Sequence, residues 1–134
     1  MKATTLRKLA VLAEARKTRD LARLEALAAE RRLLLEEIAD LAGIEARDAA
    51  EGLMPFPMMA RRSAWAAAEV ARREQRIAAI DREMEEARAA ARTSLGKHEA
   101  LLRLIETTVR DEEASRLRAE ERASFDGGGR RPGI

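Results

Sequence analysis

No cysteine occurs anywhere in the chain, which excludes disulfides, thiolate metal sites and thiol nucleophiles, and suits a reducing compartment. Tyrosine is also absent, and one Trp and two Phe make up the whole aromatic complement, too little for a thick globular core or for a surface that stacks bases. The three prolines fall at Pro55, Pro57 and Pro132, so both long stretches between the N-terminus, the first proline pair and the C-terminal end are free of proline. His98 is the only histidine, which leaves no His pair for a metal and no local Ser-His-carboxylate constellation. The longest uncharged run, 52–60, is too short and too proline-rich to span a bilayer, and the N-terminus lacks the apolar core of a signal peptide, so a cytoplasmic protein is expected.

What remains is Ala, Leu, Glu and Arg. Of 134 residues, 46% are hydrophobic and 37% charged, and the dominant types are strong helix formers that lose little side-chain freedom in a helix. Much of the apolar content is Ala, which suits a thin helix–helix seam and not a multilayer core. The formal net charge of +2, from 26 basic and 24 acidic residues, provides no overall polycation for nucleic acid. Charge is segregated instead: Lys2, Arg7, Lys8, Arg16, Lys17, Arg19 and Arg23 crowd the first segment, while the stretch from Asp111 to Asp126 is mildly acidic.

The first helix is expected over about 4–51, with Thr4 or Thr5 as its N-cap. Leu21, Leu24, Leu27, Leu34, Ile38 and Leu41 form its buried stripe, with Arg31 as a charged member, and Leu6, Leu9 and Leu12 restart that stripe upstream. Gly52 ends the pattern, and the sequence GLMPFPMM predicts a turn over 52–57. The second helix is expected over about 58–125. A seven-residue repeat holds along it through Met59, Ser63, Ala66, Val70, Arg73, Ile77, Ile80, Met84, Ala87, Ala91, Ser94, His98, Leu101 and Ile105, the register of a left-handed coiled coil.

The short break makes the two helices antiparallel neighbours. The fold class is therefore all-α, a long antiparallel two-helix coiled-coil hairpin over 1–126 with a disordered C-terminal tail over 127–134. At about 1.5 Å per residue the second helix is the longer by about 15 to 20 residues and projects beyond the first.

No catalytic, cofactor-binding or metal-binding residue stands out. Carboxylates such as Glu83, Glu85 and Glu86 lie beside arginines at helical spacing and read as solvated ion-pair faces. Gly127, Gly128 and Gly129 lack the Lys-Ser/Thr pair of a phosphate loop. The candidate sites are for partners. Arg7, Lys8, Arg16, Lys17 and Arg19 lie on a weakly sealed part of the seam, and Met54, Phe56 and Trp65, with Met58 and Met59, gather adaptable apolar surface at the hairpin tip.

A first helix of this length, a break, Arg62 and Trp65 shortly after it, and a longer second helix carrying LGKHEALLRLIETTVRDEE (95–113) and ERASFD (121–126) together resemble the FliJ/YscO family of flagellar and type III secretion export proteins. The resemblance implies a non-enzymatic cytoplasmic stalk. It would bind the hexameric ring of the export ATPase and the cytoplasmic domain of the export gate membrane protein, with export chaperones as further partners. The terminal parts of the two helices would enter the ring and the middle of the hairpin would meet the gate. Two other readings of the residues stay open: a self-associating structural coiled coil, in which the unpaired end around Leu117 joins its copy, and a helical-arm adaptor unrelated to secretion. Oligomer size separates the first from the stalk, and salt-sensitive nucleic-acid binding would support the second.

Overall fold

The computed structural model describes residues 2–52 and 54–129, and within them there are two elements, α1 (Ala3–Glu51) and α2 (Phe56–Gly129), and no strand. The helices pack antiparallel, as the register of their contacts shows below. The chain divides into two compact units, Thr18–Arg92 in one and Met1–Lys17 with Thr93–Ile134 in the other.

In the unit Thr18–Arg92, the core cluster is Leu27, Ile80, Met84 and Ala87, with Leu24, Ala28 and Leu34 packed against it. Ile80 is completely buried. Its neighbours one heptad step away on either side, Ile77 and Met84, continue the row, and Ala66, Val70 and Ala91 lie along the same face, buried or half-buried. Cross-helix ion pairs flank this row. Arg62 reaches Asp48 at 2.6 Å, Arg73 reaches Glu37 at 2.8 Å, Arg76 reaches Glu30 at 2.8 Å and Arg31 reaches Asp81 at 2.8 Å. From Arg62 through Arg73 to Arg76 on α2, the α1 partner retreats from Asp48 through Glu37 to Glu30, which is the register of an antiparallel pair.

Arg73 and Arg31, the charged residues on the expected stripes, are thereby explained. Each is half-buried, with its guanidinium on a carboxylate of the other helix. Arg73 also holds Glu69 at 2.7 Å, and hydrogen bonding from Arg73 and then Arg72 lowers the Glu69 pKa below its ordinary value. The bond from Arg76 does the same to Glu30.

The turn follows from backbone chemistry. Gly52 takes φ +62°, the left-handed conformation that closes a helix, and its amide donates to the Asp48 carbonyl. The second helix starts at Phe56, two residues before the expected Met58. Pro57 falls in the first turn, where a missing N–H costs nothing, and the amides of Met58 and Met59 both donate to the Pro55 carbonyl at 3.0 Å.

In the other unit, the row buried on α1 is Ala3, Leu6 and Ala10, facing an α2 row that includes Ser94. Leu9 and Leu12, expected on the stripe with Leu6, are 38% and 68% exposed. Steps of three residues drift around the helix by about 60° each, whereas a seam must alternate three and four, so Ala10 takes the place that Leu9 was expected to hold. Leu21, in the first unit, is 45% exposed for the same reason: the buried row passes through Leu24 and Leu27.

The start of α1 also differs from expectation. Helix begins at Ala3, so Thr4 and Thr5 lie inside it, and the Ala3 amide donates to Glu112 Oε1 of α2 at 3.2 Å. A carboxylate from the neighbouring helix does the work of an N-cap, where negative charge suits the helix dipole. Because Glu112 lies opposite Ala3, α2 from Glu113 onward continues past the first residue of α1. At its far end α2 includes Gly127, Gly128 and Gly129, which the sequence assigned to the tail; propagation adds one hydrogen bond per residue and carries the helix into them. The remainder of the expected disordered tail, 130–134, lies outside the described residues, as does Leu53 in the turn.

Candidate partner-binding surfaces

Three surfaces have no partner among the described residues. The first is the outer side of α1 at its start. Arg7, Lys8 and Arg16 are exposed and Lys17 half-exposed, and none of the four has an ion-pair partner among the described residues. Arg19 falls in the other unit and lies 3.9 Å from Asp20. Val11 and Leu12, at 67% and 68% exposure, lie among these cations and are the most exposed large apolar side chains of α1. Sequence reasoning had put Leu12 on the seam and left Val11 aside; the signal that finds them is the alternation of three and four from Ala3 through Leu6 to Ala10, which turns both residues outward.

The second surface is at the turn. Phe56, Met58 and Trp65 are 82%, 55% and 52% exposed, while Met54 and Met59 are half-buried. Met54 and Met59 are the half-covered residues at the end of the seam, and Met58 and the aromatic rings stand open. Met58 and Trp65 are seven residues apart on one face of α2, and Arg61 lies between them on that face, exposed and unpaired among the described residues. Met54 and Phe56 lie at the turn itself and Trp65 about 13 Å further along α2 on the face opposite Phe56, whereas Arg19, in the same unit, lies about 50 Å away along α1 at 1.5 Å per residue.

The third surface is the end of α2. Every residue from Arg110 to Asp126 is exposed, including Leu117 and Phe125 at 53% and 81%. Leu95, Leu102 and Leu104, upstream in the same unit, are also 42–49% exposed. The α2 seam there uses Ser94, His98, Leu101 and Ile105, so these leucines flank it.

Among the described residues no group of His, Asp or Glu converges as metal ligands, and no helix is long and apolar enough to cross a membrane. The open recesses lie beside ion pairs or at the turn, the latter between Asp48, Glu51, Met54, Pro55 and Met58. Compared with family models, curated proteins and solved structures, the chain has no match.

Proposed function

We propose that this chain is a non-enzymatic coiled-coil stalk of a flagellar or type III export apparatus, acting in the cytoplasm on the ring of the export ATPase and on the export gate. The observation that carries the reading is the end of α2. A helix that runs from Glu113 to Gly129 past the start of its partner, exposed at every residue through Asp126, together with a set of cations on the outer side of α1 that are unpaired among the described residues, is a poor solution for an isolated protein and a suitable one for a segment enclosed by others. The layout shared with the FliJ/YscO family supplies the identity of what would enclose it.

In this reading Arg7, Lys8, Arg16, Lys17 and Arg19, with the end of α2, face the lumen of the ring, the middle of the hairpin meets the gate, and the apolar residues at the turn, Met54, Phe56 and Trp65, are available to chaperones. Chemistry belongs to the ATPase. A single asymmetric stalk touches successive subunits differently, so its binding free energy is distributed unequally over their nucleotide states and biases which subunit hydrolyses next. The test is the ATP hydrolysis rate of the same organism's export ATPase with and without this chain, with complex mass followed by light scattering. A raised rate and a complex of one chain per ring support the stalk. No binding and no stimulation would remove it.

A further inference from the structure

Two of the unpartnered faces are complementary to each other. On α1, Lys8, Val11, Leu12, Ala15 and Arg16 recur at steps of three and four on the side turned away from α2, giving an apolar strip edged by free cations. On the end of α2, Glu113, Ala114, Leu117, Glu121 and Phe125 share one face, an apolar strip edged by carboxylates that also lack ion-pair partners among the described residues. Arg118, at the border of that face, turns back and donates to the Ala114 carbonyl. Both strips belong to the same compact unit, but one continuous helix leading away from α1 cannot double back onto it.

We infer that the two faces bind each other between two copies of this chain, the projecting end of α2 in each lying along the outer face of α1 in the other. The contact is made twice, related by a two-fold axis, and closes into a dimer. The lengths agree: 113–129 spans about 25 Å and Ala3–Lys17 about 22 Å at 1.5 Å per residue. In a two-fold arrangement the paired segments run parallel. One constant offset then sets Glu113 beside Lys8, Leu117 beside Leu12 and Val11, and Glu121 beside Arg16. Apolar contact supplies attraction and the charges fix the register, so salt weakens the dimer. The dimer is a state of the free chain and does not rest on the stalk reading; it uses the faces that reading gives to the ring, so the two contacts exclude each other, and the mass of the free chain reports the one and the mass of the ring complex the other.

The experiment is sedimentation velocity or light scattering on the full chain over a micromolar concentration series, at low and high salt. The mass of the wild-type chain is expected to double with concentration at low salt. Glu113→Lys with Glu121→Lys gives a monomer, and so does Lys8→Glu with Arg16→Glu; all four sites are exposed, and circular dichroism checks that helix content is unchanged. Mixing the two double variants restores the dimer, because both contacts of the mixed pair regain opposite charges. A wild-type chain that stays monomeric throughout, or double variants that dimerise as well as wild type or fail to pair when mixed, would overturn the inference.

Discussion

Removing three carbons from Ile80 tests whether the seam is a packed core or only an apolar contact between two stable helices. Ile80 is fully buried and packs with Leu27, Met84 and Ala87, with Leu24 and Leu34 adjoining. Ile80→Ala loses about 0.8 kcal/mol of transfer free energy for each carbon removed, about 2.4 kcal/mol in all. A cavity term adds to this, kept small because a two-helix seam can close around a lost side chain, so the expected cost is about 3 kcal/mol. For a chain of this size that corresponds to a fall in melting temperature of roughly 10 °C. The control is Leu12→Ala, the loss of the same three carbons at a site 68% exposed, where a change within about 0.5 kcal/mol is expected. Urea titrations followed by circular dichroism measure both. Equal losses for the two variants would refute the assignment of the seam, and a loss below about 1 kcal/mol at Ile80 would show that helix propensity, not packing, holds the chain together.

Gly52→Ala is expected to destabilise by about 1 kcal/mol or more through the left-handed conformation alone, since a Cβ there meets nothing within 4 Å; the same urea titration measures it, and Gly43→Ala in mid-helix, equally open, should stabilise instead. Glu30 and Glu69 have pKa values lowered from 4.5 by hydrogen bonds from Arg76 and Arg73, so their contribution is complete above 4.5 and disappears as pH falls through the lowered folded values. The melting temperature should therefore drop on acidification below pH 4.5, and Glu30→Gln should show a smaller drop than wild type. Trp65, the single tryptophan and 52% exposed, should be readily quenched by acrylamide in the free chain; quenching that indicates full burial would contradict its place on the open tip.

The architecture was legible in the sequence because the second helix carries an uninterrupted register. Ile80, Met84, Ala87, Ala91 and Ser94 follow it, and all five are buried. A period is a property of one helix, so it survives without knowledge of the partner. Register between helices is not such a property. That Arg76 meets Glu30, or that Glu112 caps Ala3, depends on how far one helix slides along the other, and several offsets satisfy the same apolar pattern equally well. The same ambiguity explains the misplaced Leu12. Near the start of α1 both leucine and alanine rows were available, and hydrophobicity alone chose the larger side chains. The structure chose Ala3 and Ala10, small residues that let the helices approach, and left Val11 and Leu12 outside. A seam closed by alanine leaves leucine over for other contacts, and this is where the candidate binding surface became visible. The identity of what binds there is a matter of another molecule's shape and charge, which is why the readings proposed for this end of the chain are distinguished by mass and by ATPase rate and not by any residue of the seam itself.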